Sequence, residues 1–264
     1  MRAGAVTSIL VARDAPPLLL HTVRLADTAL VLGHRLSEWT GQAPMLEEEL
    51  ALANAALDYI GQARSFYAYA AELEGKERPE DDLAYLRDAP EYRNWLIAEQ
   101  PNGDFARTVL RQFLAAAFLQ PYWKALAASR DATLAAIAAK AEKEAAYHLR
   151  HAGEWVIRLG DGTDESRRRM EDALAELWPF TGEMFETDEA DRALIDAGLV
   201  PDPGALRAGW DAVVARVLDE ATLPAPPAGA WMQSGGRRGV HSEHLGHLLA
   251  VMQHLQRAYP GAVW

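Results

Sequence analysis

The stretch KEAAYHLRHAGEW, residues 143–155, sets a carboxylate and two histidines into what reads as the middle of a long helix. Leu134, Ile137, Ala141, Glu144, His148, His151 and Trp155 recur in alternating steps of three and four. That spacing puts Glu144 and His148 on an apolar seam rather than on a solvated face. A carboxylate there needs a partner, and His148, one turn along, is the nearest candidate. The pair is either half of a metal site or a polar patch satisfied inside a helical core.

Di-metal carboxylate bundles take a Glu-x-x-His pair from each of two helices and a lone carboxylate from each of the other two. Here His148 follows Glu144 by four, and Tyr147 stands at the third place. About 30 residues upstream, where the adjoining helix of a hairpin would offer its carboxylate, the sequence is LAAAF, with Ala115, Ala116 and Ala117. A second half-set has Asp58, with Gly61 in place of a histidine and Gln62 after it. Asp27 and Thr28 lie upstream, and His34 and Glu38 sit nearer the end of that helix. Two good ligands survive, with a third in reach, against the roughly six that a two-metal centre uses. The count favours a metal-free polar core, with Asp58, Glu144 and His148 as vestigial positions. A single adventitious ion and a working two-metal centre remain the alternatives.

A second cluster, GGRRGVHSEHLGH at 235–247, leads a Gly-rich approach carrying Arg237 and Arg238 into a helix start with His241, His244 and His247. Backbone N–H groups, guanidinium groups and a helix N-terminus together suit an anion such as a phosphate. A plain loop capped by Ser242 is the other reading. Of the eight tryptophans, Trp231 in a loop and Trp264 at the chain end are the least natural as core, and suit anchors on a partner surface.

The wider sequence narrows the classes. A formal net charge of −12 repels nucleic acid. With no cysteine, thiolate metal sites, disulfides and cysteine nucleophiles are excluded. No dinucleotide fingerprint, P-loop or nucleophile elbow is present. No apolar run reaches the ~18 residues of a membrane span, and the N-terminus is weak as a signal peptide, so the expected location is the cytoplasm.

The elements that must position these residues are helical, since alanine and leucine dominate and β-branched residues are sparse. Long helices are expected over 18–39, from Pro44 to about Leu73 before Gly75, from Phe105 to Ala128 with Pro121 kinking it or ending it early, and from Asp131 to Leu159 with Gly160 as its C′ residue. Two short pieces fill 81–100. Three further helices follow, over TDESRRRMEDALAELWPFTGEMF, DEADRALIDAG and ALRAGWDAVVARVLDEATL, then a loop at 222–240 and a last helix from His241 to Tyr259. The expected architecture is all-α: a ferritin-like long bundle in one domain over 1–264, with additional C-terminal helices, a loose segment at 1–16, and a crossover of roughly 30 residues between the second and third long helices.

Four stretches carry a family resemblance: LADTALVLGHRLSEWTGQAPMLEEELALANAALDYIGQARSFYAYAAELEG at 25–75, EQPNGDFARTVLRQF at 99–113, KAEKEAAYHLRHAGEWVIRLGDGTDES at 140–166 and GGRRGVHSEHLGHLLAVMQHLQRAYPGAVW at 235–264. Together they resemble the PaaC family of the ring 1,2-phenylacetyl-CoA epoxidase, in order along nearly the whole chain. The resemblance implies a ferritin-like subunit of a bacterial multicomponent oxygenase of phenylacetate breakdown. It implies a non-catalytic, structural or regulatory role beside a homologous subunit that carries di-iron. A separate reductase with FAD and an iron–sulfur cluster would bring electrons from NADPH, and the isolated chain would form a homodimer. It carries no catalytic residue over to this chain and no cofactor within it. Two competing readings stand beside it. One is an autonomous di-iron or di-manganese oxidase or oxygenase using Asp58, Glu144, His148 and Glu38. The other is a CoA-ester-binding module with Arg237 and Arg238 on the phosphates.

Overall fold

Helix-favouring stretches separated by strong terminators become eleven α-helices in the computed structural model, which describes residues 15–76 and 78–262. They are α1 (Pro17–Ser37), α2 (Leu46–Glu74), α3 (Glu80–Tyr85), α4 (Leu96–Glu99), α5 (Phe105–Leu126), α6 (Ala132–Gly160), α7 (Asp164–Leu177), α8 (Glu189–Asp196), α9 (Arg207–Glu220), α10 (Glu243–Met252) and α11 (His254–Ala258). No strand occurs among the described residues. The boundaries have local causes. Pro17 opens α1 where its missing N–H costs nothing. Gly75 closes α2 in the left-handed region at φ 67°. The side chains of Asp104 and Asp131 cap α5 and α6 by accepting from the N–H of Arg107 and Leu134.

Two hairpins, α1–α2 and α5–α6, make the most extensive packing and form the bundle, with α2 also against α6. The insert at 78–100 crosses between them. The later helices cover the outside: α8 packs on α1, α7 and α9 on α5 and α6, and α10 on α4. One contiguous apolar core runs through all of it. Trp123 lies stacked on Phe66 with ring centroids 5.5 Å apart, and Trp210 donates from Nε1 to the carbonyl of Leu114 at 3.0 Å.

Several expectations about the elements are resolved or corrected. Helix α5 runs through Pro121 to Leu126, so of the two effects expected of the proline the early end does not occur. The proline costs about 3 kcal/mol, but burying Tyr122, Trp123 and Leu126 beyond it returns about 1.5–3 kcal/mol for each large side chain. Gly160 is the last helical residue of α6, not a left-handed cap. It is there for space, since a Cβ would stand 2.4 Å from the carbonyl oxygen of Ala221. Helix α7 stops at Leu177, just before Pro179, and the last helix is broken at Gln253, whose buried amide donates to the Arg87 carbonyl at 2.9 Å. On α6 the buried stripe is Leu134, Ala138, Ala141, Ala145, His148, Ala152 and Val156. Ile137, Glu144, His151 and Trp155 lie at its half-buried rim. The alanines that face the core carry a weaker apolar signal than the larger residues beside them, which pulled the sequence-read seam off axis.

Candidate functional site

The α2–α6 contact is a row of polar pairs. His148 Nε2 lies 3.0 Å from Asp58 Oδ2, Gln62 Nε2 donates to Glu144 at 2.8 Å, and His151 Nε2 lies 2.9 Å from Glu48. The Tyr69 hydroxyl donates to Asp131. The partner of Glu144 is therefore Gln62 across the interface, with Lys140 at 3.3 Å, and not His148 along its own helix. His148 is buried and packs on the Tyr59 ring at 4.9 Å, and its Nδ1 has no hydrogen-bond partner. Burial lowers its pKa against the opposing pull of Asp58 and Glu144, so the ring is neutral.

The other two bundle helices do not complete a metal centre. Ala115, Ala116 and Ala117 fill the α5 position. On α1, Asp27 is fully buried, but it meets the Arg87 guanidinium through both oxygens and also accepts from Tyr67 Oη at 2.5 Å and the Arg93 N–H at 2.7 Å. Burial works against the Arg87 charge, but Asp27 more than compensates and holds it protonated. Glu38 is at the far end of α1, paired with Arg35 at 3.0 Å and Asn102 at 2.9 Å. Among the described residues, no three His, Asp or Glu side chains are arranged to hold a metal ion. The residues present do not fit a two-metal centre.

The Gly-rich loop does bind anions, and they are the protein's own carboxylates. Glu183, buried, accepts from the N–H groups of Gly235 at 2.9 Å, Arg237 at 3.2 Å and Leu96 at 2.7 Å. Desolvation still leaves its pKa raised. Arg237 donates to Asp191 at 2.6 Å and to the Glu186 carbonyl. Asp191 also meets His21 at 3.2 Å and Arg24 at 3.1 Å. Burial alone would raise the Asp191 pKa, but His21, Arg237 and the Asp188 N–H outweigh it and hold the group ionised.

Glu99, fully buried, accepts from the Ser242 N–H at 2.7 Å, Ser242 Oγ at 2.8 Å and Asn94 at 2.9 Å, and lies 2.7 Å from His241 Nδ1. His241 Nε2 donates to the Tyr92 carbonyl at 2.9 Å, so both ring nitrogens face acceptors. The nest and helix start that the sequence offers to a phosphate thus lock residues 234–242 onto the bundle. The sequence did not single out Glu99, Glu183 or Asp191. Nothing local marks them, and Asp191 stands among other acids in the stretch ETDEADR.

Arg238 points outward and is 60% exposed, within 3.1 Å of Ser234 and 3.6 Å of Glu186. It lines a cleft of about 780 Å³ together with Arg24, Arg93, Arg237, Asp188 and Val240. His244 is half-buried, and its carbonyl accepts from Arg35 at 3.2 Å. Trp231 is 71% exposed, and Trp264 lies outside the described residues, as does most of the N-terminal segment.

Two antiparallel-packed hairpins of long helices, an insert between them and a polar rather than metal-holding centre define a ferritin-like bundle. Residues 7–264 match the family model described as phenylacetic acid catabolic protein, and the chain belongs to that family. It is 51% identical over 247 residues to an Escherichia coli (strain K12) protein named as the C-subunit of 1,2-phenylacetyl-CoA epoxidase, covering 94% of this chain and 99% of the relative. The family resemblance read from the sequence is thereby shown. No described helix is long and apolar enough to cross a membrane.

Proposed function

We propose that this chain is the non-catalytic subunit of a bacterial multicomponent 1,2-phenylacetyl-CoA epoxidase, pairing with a homologous subunit that carries the di-iron centre. The observation that carries this reading is the filled centre of the bundle. Alanine occupies one ligand position, Gly61 and Tyr147 occupy the histidine positions, and Arg87 neutralises Asp27, in a chain half identical to a named epoxidase subunit. Its role is to stabilise and shape the catalytic partner. Electrons from NADPH pass through a reductase with FAD and an iron–sulfur cluster, none of them on this chain, and the complex works in the cytoplasm. Trp231 is proposed as an anchor on the partner.

The test is elemental analysis of the purified chain after anaerobic iron loading, followed by co-purification with the catalytic subunit. Near-zero iron and a stable complex are expected. About two irons per chain, as in a complete carboxylate bundle, or epoxidation by this chain alone, would overturn the reading.

A further inference from the structure

Two buried polar groups at the centre of the bundle have no hydrogen-bond partner among the described residues. Gln62, on α2, donates from Nε2 to Glu144 at 2.8 Å, but its Oε1 accepts nothing. Trp123, on α5, stacks its ring on Phe66 and leaves its indole Nε1–H unpaired. Gln62 is only 4% exposed and Trp123 2%. Groups buried so deeply are almost always bonded, and one left bare costs stability. Trp210 shows the usual outcome: just as buried, it donates its indole N–H to the Leu114 carbonyl at 3.0 Å.

Both unpaired groups line the same internal cavity. Its wall takes Thr28 from α1, Tyr59 and Gln62 from α2 and Trp123 from α5, and is otherwise aliphatic and aromatic. The space open to the centre of a water-sized sphere is about 10 Å³, close to the roughly 10–15 Å³ that a single water needs. The two groups do not bond to each other, so whatever bridges them must accept from the indole and donate to the amide oxygen. A metal ion cannot accept from an N–H, and dioxygen cannot donate to a carbonyl. Size and hydrogen-bonding sense together leave water.

We propose that this cavity is a binding site for one internal water, which accepts from Trp123 Nε1–H and donates to Gln62 Oε1. The Thr28 hydroxyl, on the same wall, accepts from the Trp95 N–H at a long 3.4 Å and offers the water a third contact. Two to four polar partners are what an internal water requires. The water joins α1, α2 and α5 beside Gly61, so the centre of the bundle is hydrated and not dry. The site is read from this chain's own residues and stands whether or not the epoxidase assignment does.

A crystal structure of the full chain that resolves internal water tests it. One density peak is expected about 3 Å from both Trp123 Nε1 and Gln62 Oε1, with no anomalous signal at the iron or manganese edge. Gln62→Leu removes the acceptor and should lose the peak. In solution, with the indoles labelled with nitrogen-15, the Trp123 N–H should show a nuclear Overhauser effect to a long-lived water, and the Trp210 N–H none. Trp123→Phe identifies the resonance. An empty cavity in the wild type, an anomalous peak, a Trp123 indole no closer to water than that of Trp210, or a peak retained in Gln62→Leu would each overturn the proposal. Should Gln62→Leu fail to fold, the wild-type map and spectra decide alone.

Discussion

Replacing Asp27 by alanine should unfasten the insert from the bundle. Asp27 and Arg87 are both fully buried, and the carboxylate serves both guanidinium ends, the Tyr67 hydroxyl and the Arg93 N–H. In Asp27→Ala, Arg87 keeps neutral acceptors alone, the carbonyls of Leu83 at 2.6 Å and Glu91 at 3.0 Å and the Tyr67 hydroxyl at 3.0 Å, beside the face of Tyr92 with its carbon 4.3 Å from the ring centroid. An uncompensated buried charge costs about 3–5 kcal/mol. The Tyr67 O–H, which loses its acceptor, adds about 1–3 kcal/mol. Some relaxation is certain, so a loss of at least about 4 kcal/mol is expected, a large share of the 5–15 kcal/mol typical of a domain. The double variant Asp27→Leu, Arg87→Met should recover most of it, because removing both charges leaves neither stranded. Urea unfolding followed by circular dichroism measures the totals, and hydrogen exchange over residues 86–99 shows whether the insert opens first. A single variant costing under about 1 kcal/mol, or a double variant as damaging as the single, would refute the assignment of this pair as the fastening.

Acidification should destabilise the fold through His21 and His148, which are buried, and His34, which is half-buried. Burial lowers the His34 pKa to about 4, and those of His21 and His148 are also lowered. Their stabilisation is therefore complete above the unfolded value near 6.5 and is lost as pH falls towards the folded values. For His34 alone the limit is on the order of 3 kcal/mol. His34→Gln should flatten the decline in melting temperature between pH 6.5 and 4; an unchanged slope would count against the burial argument. Gly236→Ala should loosen the loop at 234–242, because a Cβ there would stand 2.2 Å from the Asn94 carbonyl oxygen. A cost of about 1–3 kcal/mol and faster tryptic cleavage at Arg237 and Arg238 are expected, and cleavage no faster than in the wild type would show that the close approach is not needed.

Helix content and most helix ends were legible in the sequence, because they rest on local signals. Capping aspartates, Gly75, helical spacing and the alanine run at 115–117 need no knowledge of what lies across the bundle. The helix ends that were misread had distant causes. Gly160 answers to Ala221, and the break at Gln253 to the carbonyl of Arg87.

The sequence by itself determined the all-helical class and, through resemblance, the family. Only the tertiary structure decided where each charge goes: Glu144 to Gln62 rather than His148, Asp27 to Arg87, and the anion-binding loop to Glu183, Asp191 and Glu99. A carboxylate taken into the fold settles on whichever donor folding brings within hydrogen-bond reach, and for these pairs that donor lies tens of residues or more away along the chain.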